Sequence, residues 1–109
     1  MNCAREADHK KGEDIVVLDI RGISNIADYF VFVSGAADRH VKALADDLDK
    51  KNHTASGIDP YHTEGRAGAK WIIMDYIDVV VHIFSKEARE FYNLERLWDH
   101  AKRVDWMDE

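Results

Sequence analysis

Two short stretches of the chain, Tyr29 to Val33 and Val79 to Phe84, are apolar at every position except His82. A strand with no polar face needs cover on both sides, so both are predicted to lie inside a sheet. Asp14 to Ile20 carries Ile15, Val16, Val17, Leu18 and Ile20; it is rich in β-branched residues, too short for a typical helix, and read as the first strand. Arg21 and Gly22 end it, and Ile23 to Asp28 is a connection with room for one helical turn opened by Ser24. After Ser34 and Gly35 the period changes. Val41, Leu44, Ala45 and Leu48 recur at i, i+3, i+4 and i+7, which predicts a helix from about Asp38 to Lys51. Asp38 in the first turn and Lys50 and Lys51 in the last suit its macrodipole.

Asn52 to Gly57 reads as a loop, Ile58 to His62 as a weak strand that Pro60 confines to a sheet edge, and Glu64 to Lys70 as a glycine-containing loop. Only Ile77 and Asp78 separate Trp71 to Tyr76 from Val79 to Phe84, so these two strands form a β-hairpin. From Lys86 onward Ala88, Phe91, Leu94 and Leu97 with Trp98 mark a closing helix, and Asn93 is placed to cap a second short segment. The termini show less: residues 1–12 are polar and form a frayed helix at best, and residues 99–109 read as a tail. Strands separated by helices, plus one hairpin, predict an α/β fold: a mixed central sheet with helices packed on its faces.

A length of 109 residues sets the domain count at one, spanning 1–109, because a second core would need roughly 50 residues more. The net charge of −6 comes with no stripe of Lys and Arg interleaved with aromatics, which disfavours specific nucleic-acid binding. An acidic surface instead suits a basic partner, such as a ribosomal or histone-like protein. Cys3 is the only cysteine, so no intrachain disulfide can form. No apolar run approaches the roughly 18 residues of a membrane span, and the N-terminal residues have neither signal-peptide nor transit character. A cytoplasmic protein is expected.

Candidate chemistry is sparse. The six histidines never pair at ligand spacing on one element; the nearest approach is His62 with Glu64, and no metal site is expected. His82 interrupts a strand that should be buried, on the face of Val80 and Phe84, and is read either as a neutral, hydrogen-bonded core histidine or as a partner contact. Gly65 to Lys70 does not match a phosphate loop and runs into a strand, not a helix. Gly65 to Gly68 imitates a Gly-x-x-Gly clamp, which belongs between two helices. Ser34 before Gly35 lacks the frame of a nucleophile elbow. Asp75 and Asp78 flank the hairpin turn, either bonding its backbone or offering an acidic contact. Alternation puts Trp71, Ile73 and Asp75 on one side of their strand: either a docking patch with an aromatic anchor, or a surface covered by the closing helix.

The ordered motifs resemble a known family. Asp14-Ile-Val-Val-Leu-Asp-Ile-Arg-Gly, Ala27-Asp-Tyr-Phe-Val-Phe-Val-Ser-Gly and Arg39-His-Val-Lys-Ala-Leu-Ala-Asp are similar to motifs of the ribosomal silencing factor (RsfS, or Iojap) family. So are Glu64-Gly65, Trp71-Ile-Ile-Met-Asp-Tyr-Ile-Asp-Val-Val-Val-His-Ile-Phe and Glu87-Ala-Arg-Glu-Phe-Tyr-Asn-Leu-Glu-Arg-Leu-Trp98, and the match covers about Lys10 to Trp98.

The resemblance implies a nucleotidyltransferase-like domain without the catalytic motif, hence no enzyme and no cofactor. It implies binding to the fourteenth protein of the large ribosomal subunit, steric blocking of subunit joining, repression of translation, and a homodimer when free. It carries partner binding over to Trp71, Asp75, Tyr76 and Asp78, to which the alternation adds Ile73. Alternative readings are a large-subunit assembly factor and a nucleotide-binding enzyme. Three departures stand out. Ile77 replaces the usual glycine of the hairpin turn, Ala37 replaces a serine ahead of the Arg39 helix, and the leading segment is shorter than usual.

Overall fold

The computed structural model describes residues 2–105 other than 24, 26, 58, 66–69, 94, 95, 97, 99 and 100, without the side chains of 2, 3, 6, 9, 55 and 56. The expected turn at Ser24, the Gly-x-x-Gly loop beyond Gly65, the stripe positions Leu94 and Leu97, and the Cys3 thiol lie outside the described residues.

The strands are β1 (Glu13–Asp19), β2 (Tyr29–Gly35), β3 (His62–Glu64), β4 (Trp71–Asp75), β5 (Val79–Ser85) and β6 (Lys102–Val104); the helices are α1 (Asn2–His9), α2 (Asp38–Ser56) and α3 (Lys86–Tyr92). The sheet runs in the order β3-β4-β5-β2-β1-β6. Only β2 and β5 pair in parallel; every other neighbouring pair is antiparallel, so the sheet is mixed. The two strands richest in apolar residues are the central pair, as their composition requires.

The strands sort their side chains onto two faces with period two. One face carries Val17, Val31, Val33, Ile72, Met74, Val81 and Ile83, buried under Val41, Leu44, Ala45 and Leu48 of α2 and Ala4 and Ala7 of α1. The other carries Leu18, Phe30, Phe32, Val80 and Phe84, with Ala88 of α3, Ala101 and Trp98 laid over them.

Four expectations change. The N-terminal segment is an ordered helix and not a frayed one, because Ala4 and Ala7, three residues apart, are both fully buried. Two alanines make a narrow apolar stripe that carries little hydrophobic signal, yet small side chains allow close approach to α2 and β1. Helix α2 runs past Lys51 to Ser56, taking in the stretch read as a loop. His53 and Thr54 near its end face solvent, and the stretch has no apolar rhythm; Gly57, at φ 67, supplies the stop, its N–H donating to the His53 carbonyl at 2.8 Å. The segment after residue 99 returns as β6, pairing Val104 with Val17 and Lys102 with Asp19 along the β1 edge. The closing helix is short: Asn93 at φ 44 ends it as an αL cap, and its carbonyl also accepts the Arg96 N–H at 3.1 Å. Among the described residues of its apolar stripe Ala88 is buried, Trp98 half-buried and Phe91 82% exposed.

The weak strand falls at an edge as expected, although it begins at His62 and Pro60 precedes it. Ala37 provides no side-chain cap to α2. Instead His40, one turn in, accepts the Ala36 N–H at 2.9 Å on Nδ1 and bonds the Lys10 carbonyl through Nε2 at 2.9 Å, clamping the end of α1 to the start of α2.

Candidate docking surface on the hairpin

In the β4–β5 hairpin Trp71 pairs with Phe84, Ile73 with His82 and Asp75 with Val80. All six side chains share the α3 side of the sheet. The short α3 covers that side only in part, so β4 reads partly exposed at Trp71, Ile73 and Asp75 and fully buried at Ile72 and Met74. Trp71 is half covered: its ring stacks on Phe84 at 5.1 Å and meets Tyr92 of α3 at 4.8 Å. The closing helix therefore covers this residue only in part. Outside it lies an open groove of about 830 Å³, lined by Trp71, Phe91, Tyr92, Ala88, Lys70 and Lys86.

The expected contact residues do not all point one way. Trp71, Ile73 and Asp75 come together, whereas Tyr76 packs against the opposite core, where its hydroxyl accepts from Asn52 Nδ2 of α2 at 3.1 Å. Asp75 serves the turn: its Oδ1 accepts the Ile77 N–H at 2.8 Å. The Asp78 N–H donates to the Tyr76 carbonyl at 2.9 Å, closing a three-residue turn around Ile77, whose φ is 75. That is the strained γ-turn geometry, carried here by a β-branched residue where glycine would be relaxed. Asp78 keeps its carboxylate in solvent while its carbonyl accepts the N–H groups of Asp28 and Tyr29.

The electrostatics at this end of the sheet are acidic. Asp28 and Asp78 are exposed neighbours. Arg21 is engaged by Asp19 through bonds of 3.0 and 2.7 Å and lies 5.1 Å over the Tyr29 ring. The Arg21 bonds hold the Asp19 carboxyl down at about 2. On the β3 side, His62 bonds Glu64 at 2.9 Å.

His82 resolves toward the core reading: it is 6% exposed, and burial lowers its imidazole from 6.5 to about 4, so the ring is neutral. Its Nδ1 accepts the Trp71 indole N–H at 3.2 Å. Gly65 fixes the entry to β4. Its φ is 87, and a Cβ there would collide with the Trp71 carbonyl oxygen. Tyr92 and His82, which hold the indole from two sides, were absent from the sequence-based patch. The diagonal from Trp71 to His82 follows from hairpin register alone, but the Tyr92 contact has no signature in periodicity. Among the described residues no group of three or more His, Cys, Asp or Glu gathers as a metal site, and no helix is long and apolar enough to cross a membrane.

The RsfS family model, described as "Ribosomal silencing factor during starvation", matches residues 1–109. Ribosomal silencing factor RsfS of Bacillus subtilis is 43% identical over 102 residues, covering 94% of this chain and 86% of that protein. A mouse protein named "Mitochondrial assembly of ribosomal large subunit protein 1" is 35% identical over 91 residues, which span 82% of this chain and 40% of the relative. A crystal structure of a Chromobacterium violaceum protein superimposes with a TM-score of 0.84 at 32% identity, covering 89% of this chain and 80% of that one. With the match extending over the whole sequence and the fold shared, this chain belongs to the ribosomal silencing factor (RsfS) family, and its role lies with the ribosome.

Proposed function

We propose that the protein binds the large ribosomal subunit through that subunit's fourteenth protein, and that its bulk there keeps the small subunit from joining, so translation falls. The supporting observation is the unequal cover of the sheet. Trp71 and Ile73 stay partly open on one face of β4, and the exposed acids Asp28 and Asp78 rim the turn at its end. An aromatic and an aliphatic anchor give affinity, and an acidic rim selects a basic partner and speeds encounter. Trp71, Ile73, Asp75 and Asp78 form the contact surface; Tyr76 braces the hairpin against α2. The action is occlusion without turnover or cofactor, in the cytoplasm, by a protein that pairs with a second copy when free.

The test is co-sedimentation with purified large subunits, together with a subunit-joining assay. Trp71→Ala should abolish co-migration or weaken it more than tenfold, as for a central aromatic anchor. Charge reversal is placed at Asp78, because Asp75 already bonds the turn; Asp78→Lys should slow association and weaken binding most at low salt. Asp75→Asn keeps the acceptor for Ile77 and tests the charge alone. Failure of the intact chain to co-migrate, or normal joining at saturation, defeats the proposal. A second reading, assembly of the large subunit, is favoured by the name of the mouse relative. Depletion that leaves precursor subunits would select it.

A further inference from the structure

His82 lies mid-strand in β5, its ring among those of Phe30, Phe32 and Phe84 at 5.0, 5.2 and 6.0 Å. By packing alone the position calls for an apolar side chain. A buried imidazole costs free energy unless its nitrogens are bonded, and here only one is: Nδ1 accepts from Trp71, while Nε2 is buried without a partner. Because Nδ1 is the acceptor, the neutral ring carries its proton on Nε2. Leucine or phenylalanine would fill this space without adding an orphaned polar atom of its own. What neither could do is accept the indole proton.

Trp71 also makes ring contacts, stacked on Phe84 and tilted against Tyr92. Stacking is tolerant of a flip of the indole about its own plane; a directional N–H bond is not. We infer that His82 is the positioning residue of the docking surface, its Nδ1 holding the Trp71 indole in one orientation before any partner arrives. The inference rests on the reading of Trp71 as a partner contact. An anchor ordered in advance does not lose its rotamer freedom on binding, a difference of up to about tenfold in affinity.

The test uses the full chain with His82→Leu, His82→Asn and Trp71→Ala. Three readouts are taken: affinity for purified large subunits, melting temperature, and the ¹H–¹⁵N resonance of the Trp71 indole. His82→Leu should melt no lower than the parent, shift the indole resonance and speed its exchange with solvent, and weaken binding about tenfold. His82→Asn, whose Oδ1 stands close to where Nδ1 does, should recover most of the affinity while melting lower. Stability and affinity thus move in opposite directions, which a purely structural histidine would not produce. Should His82→Leu not fold, His82→Met takes its place in the comparison. Parental affinity in the apolar variant, with Trp71→Ala failing to bind, overturns the positioning role and leaves the docking surface intact. Parental affinity in Trp71→Ala removes the surface itself, and the inference with it.

Discussion

The two faces of the sheet are made by the same strands but are finished differently. On one, the 19-residue α2 and the short α1 cover Ile72, Met74, Val81 and Ile83 completely. On the other, a seven-residue α3 covers the centre and leaves the β4 flank half open at Trp71, Ile73 and Asp75. Neighbouring residues of one strand therefore serve different ends. Even-numbered positions of β4 are sealed in the core, and odd-numbered ones stay partly exposed. The polar atoms divide in the same way: the α2 face is apolar throughout its buried cluster, whereas the α3 face contains His82 and Ser34.

Substitution of adjacent residues is the most severe test of that division. Ile72→Ala, on the sealed face, should lower unfolding free energy by about 3 kcal/mol through lost burial and a residual cavity. Ile73→Ala, one residue along, should cost about 1 kcal/mol in urea denaturation yet weaken co-sedimentation with large subunits. Equal destabilisation by the two would erase the distinction between the faces.

Acid tests the α3 face alone. Burial holds the His82 imidazole at about 4, below its unfolded 6.5, so the unfolded chain binds a proton that the native state refuses. Stability from this source is complete above about pH 6.5 and declines as the pH falls toward 4, by up to about 3 kcal/mol. Urea midpoints measured across that window should fall in the parent and flatten in His82→Leu. A parallel decline in both would assign the acid sensitivity to other groups.

The smallest effect is at the turn joining β4 and β5. Ile77 at φ 75 carries strain that glycine would not, so Ile77→Gly should gain about 1 kcal/mol after the added chain entropy, seen as a melting temperature a few degrees higher. A lower melting temperature would mean that the exposed isoleucine makes a contact worth more than the strain.

Much of the fold was legible because burial on both sides writes itself into composition. The stretches richest in apolar residues, from Tyr29 and Val79, could only be central strands, and they form the parallel pair at the middle of the sheet. The hairpin followed from the two residues between its strands, and the sheet-facing half of α2 from its period. Features built from small or solvent-facing residues were not legible. These are the Ala4 and Ala7 contact of α1, the polar last turns of α2, and the three-residue β6, whose Lys102 and Arg103 face solvent.

For the candidate surface the division is sharper. Alternation in the sequence determined that Trp71, Ile73 and Asp75 share a side, because successive side chains of a strand must point to opposite faces. It could not determine whether that side is covered, since cover depends on the length of a helix that Asn93 ends early, leaving Phe91 in solvent. Nor could it show Tyr76 turned toward Asn52 or the indole proton placed on His82, for these contacts join residues that only the folded chain brings within hydrogen-bond reach.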